Sequence, residues 1–184
     1  RELLSRAGYC FRALAPAVDE SARRGEPPAA CARRLARAKA ADVAARLPAP
    51  RSVRIVVGCD TVVAVGGTIL GKPRDDAEAG RMLRRLSGRE HSVISGVALL
   101  RQTPSVTMQW RVFAVETRVR FRRISADEIR AYIATGDPAD KAGAYGIQEG
   151  AAHFVLRIRG SVTNVIGLPL AEAVVALRRW GVRP

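Results

Sequence analysis

The apolar residues of this chain recur with two spacings, one typical of helices and one typical of strands. Apolar positions three and four residues apart predict helices at residues 1–7, 27–47, 75–88, 125–136 and 170–180. Short runs rich in β-branched residues predict strands at residues 9–14, 53–57, 62–65, 91–100, 106–121 and 154–158. A Gly66-Gly67 turn follows the third of these strands, and residues 137–150 are irregular and rich in glycine.

Some of these strands alternate with helices, and others follow each other through short turns. Because the first arrangement produces parallel crossovers and the second produces hairpins, the order predicts an α/β protein with a mixed, twisted β-sheet flanked by helices. Asp75 with Glu78, and Ser125 with Glu128, have the spacing of capping boxes at two helix starts. The 184 residues fit one domain, covering residues 1–184, that can bury a substantial core.

The charge of the chain is strongly positive, with 31 basic and 17 acidic residues and a formal net charge of +14. The arginines are spread over every predicted element, and aromatic residues are too sparse to form base-stacking platforms. The basic surface therefore favours anionic small molecules as partners, with nucleic-acid binding as the minority alternative.

The targeting and redox signals predict an intracellular protein. No apolar run approaches the roughly 18 residues needed to span a bilayer, and no signal peptide follows Arg1. The cysteines at positions 10, 31 and 59 are scattered and form no Cys-x-x-Cys pair, so we expect them to be reduced. We expect a soluble, cytoplasmic protein without a membrane partner.

One carboxylate stands out because it lies in an otherwise apolar region. Asp60 comes between the predicted strands 53–57 and 62–65 and is followed directly by Thr61. A buried carboxylate is costly unless it is used or neutralised. Ligands of α/β proteins bind at the carboxyl ends of strands, which is where the pattern places this residue. Asp60 is therefore the first candidate catalytic residue.

Lysine is rare in this chain, and only Lys39, Lys72 and Lys141 occur among the 31 basic residues. Where arginine is so dominant, a retained lysine indicates a position that needs a compact ammonium group, although chance retention is the alternative. Lys72 completes a Gly-x-x-x-x-Gly-Lys segment at residues 66–72. Pro73 replaces the Ser or Thr of a P-loop, so we reject that motif and keep Lys72 as a phosphate contact on another scaffold.

The loop at residues 137–148 combines charged and small residues with an amide at Gln148. Glycines allow a backbone to approach a ligand closely, and an amide can read the polar edge of a base. The alternative is a structural loop in which Asp140 simply pairs with Lys141. His91 and His153 are isolated from each other in the sequence, and neither indicates a zinc site or a catalytic triad.

Several segments, in order along the chain, resemble the Maf family of nucleotide pyrophosphatases. They are residues 1–4 (Arg-Glu-Leu-Leu), 35–40, 60–63 (Asp-Thr-Val-Val), 70–73 (Leu-Gly-Lys-Pro), 86–93, 140–148 (Asp-Lys-Ala-Gly-Ala-Tyr-Gly-Ile-Gln) and 164–169. The resemblance extends over essentially the whole chain, and all three lysines fall within these segments. It implies a Maf/ITPase-like fold with two lobes around a deep cleft.

The resemblance also implies an activity, which is the hydrolysis of a nucleoside triphosphate between its α and β phosphates with a divalent metal, Mg²⁺ or Mn²⁺. Asp60 matches the proton acceptor of the family, and Thr61 and Gln148 match residues that bear on substrate choice. The pattern looks like the branch acting on dTTP and UTP, not the branch preferring 7-methyl-GTP. The charged residues expected around the triphosphate are Glu20, Lys39, Lys72 and Lys141, with Glu20 joining Asp60 as a metal ligand.

Three features depart from the family pattern. The family has a strand and a Ser-x-Ser-Pro-Arg-Arg loop before the Arg-Glu-Leu-Leu segment, and this sequence starts after them, so we expect weak or no activity from the chain as given. Glu149 takes the place of a glycine, and Cys59 takes the place of a small residue. The alternatives are a non-catalytic regulator of septum formation, a basic nucleic-acid-binding protein, or a pseudoenzyme that binds nucleotide. A homodimer would be unsurprising.

Overall fold

The computed structural model describes residues 2–105 and 107–184, which form a five-stranded sheet with helices on both faces. The strands are β1 (Arg54–Val65), β2 (Thr68–Leu70), β3 (Glu90–Gln102), β4 (Met108–Phe121) and β5 (Val155–Arg159). The helices are α1 (Glu2–Arg6), α2 (Pro28–Arg46), α3 (Asp76–Leu86), α4 (Ala126–Ala134), α5 (Val162–Ile166) and α6 (Leu170–Arg178). Three short 3₁₀ turns lie between α4 and β5. Arg1 and Val106, the first residues of a predicted helix and a predicted strand, are outside the described residues.

The sheet has the order β2-β1-β3-β4-β5, and each neighbouring pair is antiparallel. This confirms an α/β protein with a sheet flanked by helices. β2 and β3 are each antiparallel to β1, so they run parallel to each other, and α3 connects them as one of the expected parallel crossovers. Directly neighbouring strands are nevertheless all antiparallel among the described residues, so no parallel pair is hydrogen-bonded there. The strand expected at residues 9–14 is also not formed there.

The strands predicted at 53–57 and 62–65 are one continuous strand, β1, and Asp60 lies in its middle. Asp60 and its neighbours stay in register with β3, since Gly58 pairs with Ala98 and Asp60 pairs with Gly96. The expectation that Asp60 follows the end of a strand is therefore wrong. The strand continues through the carboxylate because a lysine on α2 neutralises it, as described below.

Helix α2 lies unusually close to one face of the sheet because two strand residues are glycine. A Cβ atom at Gly58 would be 2.2 Å from the carbonyl oxygen of Ala36, and one at Gly96 would be 2.1 Å from that of Ala32. Both distances are far below van der Waals contact. The alanines of α2 therefore pack directly on the glycine backbone, which fixes the height of α2 above the sheet.

The opposite face of the sheet carries two separate apolar clusters. One packs α3 and α4 against the sheet, and its fully buried residues include Leu83, Leu86, Phe121 and Phe154. The other joins β3 to α6 and to Tyr9, which follows α1. Between the clusters the buried side chains are polar, and they are Ser95, Thr117 and Asn164. This polar zone supports α5 and, through it, one wall of the cavity described below.

The helix starts agree largely with the predicted capping boxes. At α4 the side chain of Ser125 accepts from the backbone N–H of Glu128, and Glu128 accepts from the backbone N–H of Ser125. At α3 the side chain of Asp75 accepts from Glu78, but Glu78 accepts from Arg74 instead of returning the bond. Among the described residues, no helix has the length and apolar character needed to cross a membrane.

The buried side chain of His91 should make the free energy of unfolding depend on pH. Its ring is buried, and Nε2 lies 2.8 Å from the hydroxyl of Tyr145. Burial lowers the pKa of His91 from 6.5 to about 4. As the pH falls from 6.5 towards 4, the unfolded chain takes up a proton at this site before the folded protein does. The free energy of unfolding should therefore decrease by about 3 kcal/mol over that range, in addition to other acid effects.

Urea unfolding of the wild type and of His91→Gln at pH 7 and pH 4.5 measures this contribution. The variant should lose less stability on acidification than the wild type does. His153→Gln, which removes an exposed imidazole, is the matched control and should follow the wild type. Equal pH dependence in His91→Gln and the wild type would contradict the assignment.

Candidate active site

A cavity of about 580 Å³ lies beside the part of β1 that has a strand neighbour on one side only. β2 pairs with residues 63–65, so before that point β1 contacts β3 alone among the described strands. Residues from both faces of β1 can therefore reach the cavity. Its other walls come from α2, the chain after β2, and residues 20–22, 140–142, 145–149 and 165–167.

Four charged side chains form an alternating row in this cavity. Lys39 Nζ lies 2.6 Å from Asp60 Oδ1 and 2.6 Å from Glu20 Oε1. The second oxygen of Glu20 lies 2.8 Å from Lys72 Nζ. The sequence of charges is therefore carboxylate, ammonium, carboxylate, ammonium, running from β1 to the chain after β2. Lys39 and Asp60 are 21 positions apart in the chain, and Glu20 and Lys72 are 52 positions apart.

The row is graded from buried to exposed. The side chain of Asp60 is 8% exposed, that of Lys39 is 16% exposed, and that of Lys72 is 56% exposed. Burial raises the pKa of Asp60, although the hydrogen bond and charge of Lys39 act against it. Burial also acts to raise the pKa of Glu20, but the bonds from Lys39 and Lys72 outweigh it and the pKa is lowered. Asp60 is therefore the more basic carboxylate, as a proton acceptor requires.

Lys39 is held charged by its surroundings. Burial acts to lower the pKa of Lys39, but the hydrogen bonds to Asp60 and Glu20 outweigh it, so that the pKa is raised. Its ammonium group is brought to Asp60 by α2, whose position depends on the two glycines in the sheet. The electrostatics of the cavity thus depend on the close packing of α2.

The third lysine lies on the loop across the cavity. Lys141 Nζ is 2.6 Å from Asp140 Oδ1 and 3.2 Å from Glu149 Oε2. The pairing of Asp140 with Lys141, expected if this loop is structural, therefore occurs, while the same loop also lines the cavity. Glu149 neutralises a lysine here. Gln148, next to Glu149 in the chain, also lines the cavity and is exposed.

Thr61 reaches the cavity from the other face of β1. Its Oγ1 is 2.7 Å from Ser95 Oγ and 3.4 Å from the carbonyl oxygen of Gly167. Ser95 in turn donates to the backbone oxygen of Asn164, 3.1 Å away. This end of the cavity has no charged side chain among the described contacts and is bounded by Val93 and by residues 165–167. The cavity therefore has a charged end and a neutral end.

The cavity brings together every residue that the sequence indicated, and they are Glu20, Lys39, Asp60, Thr61, Lys72, Lys141 and Gln148. The sequence pattern gives no indication of Ser95, which contacts Thr61 from β3. It also gives no role to Gly96, although a glycine inside an apolar strand is a signal of close backbone approach.

The donor groups in the cavity can be compared with those that a divalent metal needs. Within residues 2–105 and 107–184, no three His, Cys, Asp or Glu side chains converge as a ready-made metal site. Two carboxylates do converge, since Asp60 and Glu20 bind the same ammonium group. Mg²⁺ is bound in many enzymes by one or two carboxylates together with substrate phosphates. The residues present fit an ion of that kind.

The comparisons with known proteins agree with this geometry. A family model described as "Maf-like protein" matches residues 1–180. The chain is 51% identical over 181 residues to a dTTP/UTP pyrophosphatase of Geotalea uraniireducens, covering 98% of this chain and 89% of that protein. It is 50% identical over 181 residues to the enzyme of the same name from Geobacter sulfurreducens, covering 98% and 91%. The match spans nearly the whole sequence, and the chain therefore belongs to the Maf-like protein family.

Proposed function

We propose that this protein is a nucleotide pyrophosphatase that hydrolyses dTTP and UTP to the nucleoside monophosphate and pyrophosphate. The observation that carries the proposal is the row of Asp60, Lys39, Glu20 and Lys72 in a cavity of about 580 Å³. Relatives sharing half of their residues with this chain are dTTP/UTP pyrophosphatases by name.

The charged end of the cavity suits a triphosphate. A nucleoside triphosphate carries about four negative charges near neutral pH, and cleavage concentrates charge on the departing pyrophosphate. Lys39, Lys72 and Lys141 all reach the cavity and offer compact ammonium groups. Phosphate oxygens would replace Glu20 and Asp140 as their partners. Preformed positive groups around the leaving group lower the barrier for its departure.

Asp60 is the group we assign to proton transfer. Burial raises the pKa of Asp60, which makes it a stronger base than an exposed aspartate, while the ammonium group of Lys39 favours its ionised form. Asp60 accepts a proton from a water molecule as the water oxygen bonds to the α phosphorus. The bond between that phosphorus and the bridging oxygen to the β phosphate then breaks, and both electrons leave with pyrophosphate.

A divalent cation, Mg²⁺ or Mn²⁺, would be held by the carboxylates of Asp60 and Glu20 together with the phosphates. When bound, it would supply additional neutralisation of phosphate charge. The residues themselves orient the triphosphate, with Lys72 at the exposed entrance and Lys39 at the buried end. The neutral end, formed by Thr61 and the segment at residues 165–167, would then receive the base, and Gln148, which also lines the cavity, would contact an edge of that base.

Lys39→Met should lower kcat by on the order of 10²–10³-fold, because it removes a preorganised positive group beside the reacting phosphates. Pyrophosphate release from UTP with Mg²⁺ measures the effect. Arg37→Met removes one positive charge from the exposed face of the same helix and is the matched control. If both variants lost the same fraction of the wild-type kcat, only the overall positive charge would matter, which would contradict the role assigned to Lys39.

The proposed function is tested by pyrophosphate release from dTTP, UTP, CTP, 7-methyl-GTP and ATP with Mg²⁺ or Mn²⁺. The same panel is given to a version carrying an upstream strand and Ser-x-Ser-Pro-Arg-Arg loop. Turnover of dTTP and UTP above the other nucleotides supports the proposal. Absence of turnover in both proteins, together with tight and salt-sensitive DNA binding, would reject it in favour of a nucleic-acid-binding role.

A further inference from the structure

Ser95 is a buried residue whose side chain fixes the direction of one hydrogen bond in the cavity. It lies on β3, is fully buried, and does not line the cavity itself. Its hydroxyl contacts Thr61, which does. We propose that Ser95 sets the pyrimidine specificity of this enzyme by making the Thr61 hydroxyl an acceptor towards the base, an inference that rests on the function proposed above.

The number of protons on the two hydroxyl groups determines which of them donates. A hydroxyl group has one proton to donate and two lone pairs to accept with. Ser95 donates its proton to the backbone oxygen of Asn164, 3.1 Å away. Its lone pairs then remain for Thr61, whose Oγ1 is 2.7 Å away. Thr61 therefore donates to Ser95.

The second neighbour of Thr61 leads to the same result. The backbone oxygen of Gly167, 3.4 Å from Thr61 Oγ1, can only accept. It already accepts from the thiol of Cys59 at 3.1 Å. In each arrangement the single proton of Thr61 is directed into the protein, and what remains for a ligand in the cavity is a lone pair.

An acceptor at this position distinguishes pyrimidine bases. Uracil and thymine carry an N–H group at ring position 3, whereas cytosine carries an unprotonated nitrogen there, which is itself an acceptor. Thr61 can accept from the first kind of base and faces an unfavourable pair of acceptors with the second. Gln148 cannot supply this discrimination alone, because its exposed amide offers both a donor and an acceptor and can turn over.

The support of Ser95 is itself rigid. Asn164 is fully buried, and its side-chain nitrogen donates to the Val93 carbonyl and to Thr117 Oγ1, each at 3.0 Å. Its backbone oxygen also accepts from Gly167 at 3.0 Å. Removing the Ser95 hydroxyl therefore leaves that oxygen with a partner. In Ser95→Ala the Thr61 proton keeps, among the described residues, only the Gly167 oxygen as an acceptor in the protein, at 3.4 Å and already bonded to the Cys59 thiol, so that proton can turn towards the cavity.

The test compares kcat/KM for UTP and CTP in the wild type, Ser95→Ala and Thr61→Val. We expect Ser95→Ala to lower the UTP-to-CTP ratio by roughly tenfold or more, mainly through a gain on CTP, since its freed Thr61 can donate to cytosine. Thr61→Val should lower the ratio through a loss on UTP. A merely structural role for Ser95 would reduce both substrates together and leave the ratio unchanged.

Ser92→Ala is the matched control, because it removes a hydroxyl from the same strand that bonds to Glu116 and not to Thr61. Its ratio should equal that of the wild type. An unchanged ratio in Ser95→Ala overturns the inference, and if that variant does not fold, an unchanged ratio in Thr61→Val does so.

Binding of the α,β-methylene analogues of UTP and CTP, measured by calorimetry, separates this inference from the proposed function. If the wild type hydrolyses no nucleotide, the proposed function is rejected. The ratio of the two dissociation constants, and its change in Ser95→Ala, then still decides the role of Ser95. A fall of about tenfold in the dissociation constant of the CTP analogue divided by that of the UTP analogue supports it, and a constant ratio overturns it.

Discussion

Asp60→Asn should reduce kcat for pyrophosphate release by on the order of 10²–10⁴-fold, the contribution expected of a positioned general base. An asparagine keeps the size and the acceptor oxygen facing Lys39 but cannot take a proton from water. The substitution also removes a negative charge from the place where the phosphates bind. We therefore expect the dissociation constant for the α,β-methylene analogue of UTP, measured without a divalent cation, to stay equal or to decrease.

The measurement is kcat for UTP, with analogue binding and thermal unfolding recorded on the same preparation. Asp76→Asn, an exposed aspartate in the first turn of α3, is the control and should keep the wild-type kcat. If Asp60→Asn retained more than about a tenth of the wild-type kcat, the proton would go to another group. The mechanism given above would then be wrong.

Gly96→Ala should strongly destabilise the protein. The added Cβ would lie 2.1 Å from the carbonyl oxygen of Ala32 and 2.7 Å from the backbone nitrogen of Arg33. Both atoms belong to the backbone of α2, so no side-chain rotation relieves the contact. We expect a loss of about 3 kcal/mol in the free energy of unfolding, at the upper end of overpacking effects.

Activity should fall along with stability in Gly96→Ala, because moving α2 away from the sheet moves Lys39 away from Asp60. Gly71→Ala is the matched control, since a Cβ there would meet no atom within 4 Å. Urea unfolding of both variants decides the question. Equal unfolding midpoints for Gly96→Ala and the wild type would mean that α2 does not pack on the sheet as closely as described.

The sequence was informative wherever a local pattern carries the physics. Asp60 is recognisable because a carboxylate within an apolar stretch needs a partner or a use. The capping residues at Ser125 and Asp75 mark helix starts through contacts three residues away, and the structure has those contacts. The three lysines are recognisable because arginine could serve wherever only charge is needed.

The sequence could not show the features that depend on distant contacts. Strand direction is one of them, because the spacing of apolar residues is similar in parallel and antiparallel strands. The continuity of β1 through Asp60 is another, since it depends on Lys39 from a helix 21 residues earlier. The bond between Ser95 and Asn164 joins residues 69 positions apart, and nothing in the local pattern of either residue indicates it.

The central claim is that this chain cleaves nucleoside triphosphates between the α and β phosphates. The most direct test is ³¹P NMR of the products formed from UTP with Mg²⁺, by the wild type and by Asp60→Asn. We expect UMP and pyrophosphate in equal amounts from the wild type, and a greatly slowed reaction in the variant. Formation of UDP and orthophosphate, or equal rates in the two proteins, would contradict the account.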